Sequence, residues 1–101
     1  MSHGYERINR IVGTLVDGRT IAKGVRTYTI PIGGATLHAE ITVPNLTYIE
    51  EILEVQWWTN PPIAFAGSHQ QKEIEGNVVG MTIYDITSGT TITLEVIAIG
   101  I

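Results

Sequence analysis

The chain reads as an all-β protein: a single antiparallel β-sandwich, jelly-roll-like, of six or seven strands. Two observations predict this. β-Branched residues dominate, and Ile and Thr are abundant while Ala, Lys and Gln are sparse. Alternation of apolar and polar residues recurs between turn signals at the intervals typical of sandwiches and small barrels. A length of 101 residues suits one domain with one core. The expected division is an N-terminal arm, residues 1–10, and a sandwich domain, residues 11–101.

The elements follow in order. Residues 1–9, "MSHGYERIN", are polar without alternation and read as the arm. "RIVGTLV" (10–16) is a first strand, with Ile11 and Leu15 on one face and Val12 and Val16 on the other. Asp17-Gly18 marks a turn. "VRTYTIPI" (25–32) is a strand with Tyr28, Ile30 and Ile32 inward, and Pro31 makes it an edge or ends it. "ATLHAEITV" (35–43) alternates most clearly: Leu37, Ala39, Ile41 and Val43 face in, and Thr36, His38, Glu40 and Thr42 face out. The short "PIGGAT" connection predicts that these two strands form a hairpin.

One short helical turn is expected near 45–52, where Asn45 suits a cap and Glu50 and Glu51 suit the first residues. "LEVQWWT" (53–59) is a strand, with Leu53, Val55 and Trp57 on one face and Glu54, Gln56 and Trp58 on the other. Residues 63–76 read as a short strand and then a polar loop. "NVVGMTIYD" (77–85) is a strand with Val79, Met81 and Ile83 inward. The last strand, "TITLEVIAIGI", buries Ile92, Leu94, Val96 and Ala98 on one side. Its other side starts polar, with Thr91, Thr93 and Glu95, and then carries Ile97, Ile99 and Ile101. That second apolar face needs a cover, either another sheet or another chain.

Composition sets aside several functions. Charged residues make up 16%, below the roughly 25% of a typical soluble domain, as expected of a surface partly covered by a partner. Net charge is -4, and the six basic residues are scattered from Arg7 to Lys72, so the clustered positive charge of nucleic-acid binding is missing. There are no cysteines. No apolar run approaches a membrane span of ~18 residues, and the start lacks the apolar core of a signal peptide, which predicts synthesis in a cytoplasm.

No catalytic constellation emerges, and no cofactor or metal is expected. His3, His38 and His69 lack ligand spacing, and His38 with Glu40 two residues on reads as a solvent-facing pair. Ser68 beside His69 is no nucleophile elbow. Glu50 and Glu51 are neighbours rather than carboxyls facing across a cleft. Trp57 and Trp58 point to opposite faces of a strand. The one outside the core is buried under the 63–76 loop, anchors an interface, or stacks on a sugar ring.

The stretch "NVVGMTIYDITSGTTITLEVIAIG" resembles the C-terminal halves of small β-sandwich structural proteins of tailed bacteriophages and related viruses. "TYTIPIGGATLHAEITVPNL" is similar to their early hairpin. The likeness covers roughly residues 25–100. It implies a non-enzymatic virion component on the capsid exterior, such as a capsid decoration (cement) protein. Such proteins bind the major capsid protein lattice, often as trimers. A homo-oligomer is expected, a trimer by preference, with Tyr5, Ile8 and Ile11 of the arm and the apolar strand positions Trp58, Ile97, Ile99 and Ile101 as the oligomer or capsid interface. The alternatives are a carbohydrate-binding sandwich in host recognition, with Gln56, Asn60 or His69 beside the exposed Trp, and a subunit of a fibre or surface filament.

Overall fold

A computed structural model describes residues 8–31, 36–60, 69–84, 86 and 88–101, the side chains of 69–72 excepted. Tyr5, His3, Ile32, Gly33, Gly34 and Ser68 lie outside the described residues. The strands are β1 (Arg10–Thr14), β2 (Thr20–Thr29), β3 (Leu37–Thr42), β4 (Ile49–Asn60), β5 (His69–Glu75), β6 (Val78–Ile83) and β7 (Thr91–Gly100). They form two antiparallel sheets in the orders β1-β2-β7-β4 and β3-β6-β5.

The core is the set of side chains that alternation turns inward. Ile92, Leu94, Val96 and Ala98 of β7 meet Ala39 and Ile41 of β3, Val79, Met81 and Ile83 of β6, and Val43 after β3. Ile41, Ile83, Ile92 and Leu94 are fully buried, and each contributes roughly 1.5–3 kcal/mol relative to exposure. Tyr28, Ile52, Val55 and Trp57 pack partly buried against this cluster. β7 lies between β2 and β4, which makes the chain's last strand central.

Close backbone approach sets two positions. A Cβ on Gly24 would collide with the Thr42 carbonyl oxygen, so only glycine lets β2 touch the end of β3. A Cβ on Gly100 would collide with the Tyr48 carbonyl oxygen. There the chain end is tied down: Ile101 N–H donates to Tyr48 O at 3.0 Å, and Ile101 O accepts from Tyr48 N–H at 2.8 Å.

The β1–β2 turn is closed as Asp17-Gly18 predicts. Gly18 has φ 92°, and Arg19 N–H donates to Asp17 Oδ1 at 3.1 Å. That hydrogen bond, with the neighbouring Arg19 guanidinium, holds the Asp17 carboxyl below its ordinary value. Arg19 also reaches Glu50 at 3.6 Å, linking the turn to the start of β4.

Four expectations are corrected. First, the described residues contain no helix. Residues 44–45 turn, and β4 begins at Ile49, because residues 49–52 pair with β7 instead of coiling. Second, β2 and β3 are not a hairpin, since they lie in different sheets. The free edge of β3 meets β2 side chains instead: the Tyr28 hydroxyl accepts from Glu40 N–H at 2.8 Å and donates to Glu40 O at 3.2 Å. Arg26 donates to the same carbonyl at 3.0 Å and lies 4.6 Å from the centre of the Tyr28 ring. Third, residues 69–75 are not a loop but β5, joined to β6 through the two-residue turn Gly76-Asn77, with Gly76 at φ 62°. Fourth, β1 begins at Arg10, inside the expected arm. Asn9 Oδ1 accepts the Val25 N–H at 2.9 Å, so a side chain prolongs the β1–β2 pairing.

Candidate functional site

The outer face of the four-stranded sheet carries three of the seven expected interface residues, Trp58, Ile97 and Ile99. Residues paired across an antiparallel ladder point to the same side. The registers therefore lay out this face in rows. Arg10, Lys23, Ile97 and Glu54 form one row, and Ile21, Ile99 and Glu51 the next. On the other side of the first row come Val25, Glu95 and Gln56, and then Thr27, Thr93 and Trp58. Thr27 and Thr93 share a hydroxyl hydrogen bond of 3.0 Å.

An ion pair stands in the middle of this face. Lys23 Nζ lies 3.2 Å from Glu95 Oε2, and both side chains are only 9% exposed. The two residues are diagonal neighbours on β2 and β7, so their charges cancel within the sheet. The remaining charges divide between its margins. Arg10 lies on the β1 side and Glu51 and Glu54 on the β4 side, all exposed. Gln56 donates from Nε2 to Glu54 Oε1.

The expected cover for the last strand is resolved in part. The second sheet packs on the opposite face of β7. Ile99 is nevertheless 8% exposed, flanked by Ile21 and Glu51 of its own sheet. Ile97 is half-buried between Lys23 and Glu54, while Ile101 is 61% exposed. Trp58 is half-buried beside Thr93, and Trp57 turns to the core as the strand alternation requires. Ile11 does not join this face. It pairs with buried Ala22 and so points to the inner side, where it is 53% exposed because β1 overhangs the smaller sheet. Ile8 is exposed ahead of β1. Leu53 leaves the Val55–Trp57 side because β4 bulges between Ile52 and Glu54.

A second feature is a hollow of about 630 Å³ on the outer face of the three-stranded sheet. Its walls include His38 and Glu40 of β3, Thr82 of β6, and Glu73 and Glu75 of β5. Gly80 pairs with Glu40 on one side and Glu73 on the other, so the floor between the two carboxylate-bearing strands has no side chain. His38 Nδ1 lies 3.3 Å from Thr82 Oγ1. Among the described residues no three His, Cys, Asp or Glu side chains are grouped to hold a metal ion. A shallower hollow of about 320 Å³ runs along β4, lined by Val55, Gln56, Trp57 and Trp58.

The sequence reading groups Trp58, Ile97 and Ile99 with Tyr5, Ile8, Ile11 and Ile101 as one interface set, and the strand registers bring only the first three onto this face. Sequence reasoning missed the Lys23–Glu95 pair, the split of Arg10 from Glu51 and Glu54, and the hollow between β3 and β5. The first two depend on which strands flank β7, and the third on recognising β5. The Gly76-Asn77 pair was the one local signal for β5. Comparison with family models, with curated proteins and with solved structures finds no match.

Proposed function

We propose that this chain is a non-enzymatic structural subunit of a virus particle, a capsid decoration protein that associates with itself and with the shell. The observation that carries the reading is the outer face of the four-stranded sheet. It is a continuous ladder with an apolar strip of Ile21, Ile97 and Ile99, and its central charges are mutually neutralised. A face of that kind is suited to contact with another protein, and hydrophobic contact at its centre would supply the association energy.

Two further points support it. The sequence of residues 25–100 resembles β-sandwich structural proteins of tailed bacteriophages. The strand order also suits a jelly roll short of one hairpin. The pairs β2·β7 and β3·β6 nest like a ribbon rolled across two sheets, and the chain changes sheet at β2–β3, β3–β4, β4–β5 and β6–β7. Jelly rolls are common among viral capsid and lectin domains.

The lectin association keeps a second reading in view, and the β4 hollow with Gln56, Trp57 and Trp58 is the observation that favours it. Quenching or shift of Trp fluorescence across a glycan panel would support the sugar reading. The structural reading predicts no response. Its own test is mass spectrometry of density-banded particles from the source culture. The chain should be recovered in the particle band at a fixed ratio to the major shell protein. Its absence from washed particles would contradict the proposal.

A further inference from the structure

We infer that the outer face of the four-stranded sheet pairs with the same face of a second copy, about a two-fold axis running parallel to β7. The inference rests on the proposal above that the chain self-associates, and it names the surface and the symmetry.

Three observations lead to it. The first is charge. In the row Arg10–Lys23–Ile97–Glu54, the β1 margin is basic and the β4 margin acidic. A two-fold axis along the strands exchanges the margins. Arg10 of one copy then faces Glu54 of the other, twice over, as an isologous interface requires. A two-fold axis across the strands would stack β4 on β4, whose outer face carries Glu51 and Glu54 with no basic residue.

The second is the centre. Lys23 and Glu95 satisfy each other within one chain at 3.2 Å and are already nine-tenths buried. Bringing a second sheet over them therefore strips little additional water from charge. Around them lie Ile97, Ile99, Ile21 and Val25. Under the strand-parallel axis Ile97 faces the row position of the partner's Lys23.

The third is area. Four strands ~4.8 Å apart, with a ten-residue central strand rising ~3.3 Å per residue, give a footprint of roughly 600 Å² per copy. Lys23, Glu95 and Ile99 at its centre are already buried within one chain, so two copies newly cover less than twice this footprint, in the range of weak, concentration-dependent association. The molecule is a slab of 46 × 33 × 18 Å, so this face is one of its two broad sides.

Charge exchange tests the pairing. The unmodified chain, Arg10→Glu, Glu54→Arg and the combined variant are compared by sedimentation equilibrium over a concentration series, with circular dichroism to establish folding. The unmodified chain should sediment as a dimer. Each single reversal should shift it to monomer by setting like charges face to face, and the combined variant should restore the dimer. If a reversal variant does not fold, Arg10→Gln and Glu54→Gln replace it and should each weaken the dimer. A monomeric unmodified chain, a trimeric mass, or a dimer indifferent to these substitutions overturns the two-fold pairing. So does a folded combined variant that stays monomeric. If the pairing fails while the chain is still recovered in banded particles, the structural role stands and only this interface is wrong. If the chain dimerises as described but is missing from particles, the proposed role fails and the interface stands.

Discussion

At Gly24 a single methyl group decides whether the two sheets can meet. An alanine there would drive its Cβ into the Thr42 carbonyl, which is backbone and has no rotamer with which to yield. Gly24→Ala is expected to cost about 3 kcal/mol in urea unfolding. Gly80→Ala, whose Cβ would meet Glu73 at an ordinary 3.9 Å, should change stability by no more than about 0.5 kcal/mol. Nothing in the sequence separates these two strand glycines, because the difference lies in what each faces across the fold. The Lys23–Glu95 pair is equally hidden in the sequence, since its partners are 72 residues apart and meet only when β2 and β7 pair. Removing one partner leaves the other charge buried and should cost about 3 kcal/mol. Lys23→Met with Glu95→Leu together should recover most of that loss, as a double-mutant cycle by denaturant titration would show. By contrast, the inward residues of β3, β6 and β7 are legible directly, because a period of two is imposed by the pleat whatever the partner strand.

Among the elements, edges explain the departures from the sequence reading. Among the described residues β3 has one ladder partner, β6, and its other edge would be a site for unwanted strand addition. Tyr28 closes it by engaging both the N–H and the carbonyl of Glu40, so one phenol stands in for a neighbouring strand. Tyr28→Phe should cost about 1–2 kcal/mol in thermal or urea unfolding and raise the aggregation rate seen by light scattering. Unchanged stability and solubility would show that the hydroxyl does not guard this edge. The short connection after β2 suggested a hairpin, but connection length does not reveal whether a following strand stays in the same sheet. Asn45, Glu50 and Glu51 favour a helix start locally, and pairing with β7 outweighs them. β5 has no apolar alternation because its sequence, "HQQKEIE", is polar apart from Ile74. Its pairing with β6 makes it a strand, and only the turn residues betray it.

For the whole molecule, the sequence disclosed the all-β class, the inward set and the doubly apolar end of the last strand. The strand order makes this strand central in its sheet, which puts Ile97 and Ile99 in the middle of a face. Ile97 is half-buried there and Ile99 is buried. The same position gathers Trp58, the Lys23–Glu95 pair and the opposed margins of Arg10 and Glu54 onto one surface. Chemistry that depends on strand order cannot be read from spacing along the chain. The inferred two-fold pairing stands or falls on whether this surface joins two copies in solution. Sedimentation equilibrium of the unmodified chain measures that. Two-fold pairing predicts a mass twice the 11.0 kDa of one chain, and an 11.0 kDa monomer at every concentration would contradict it.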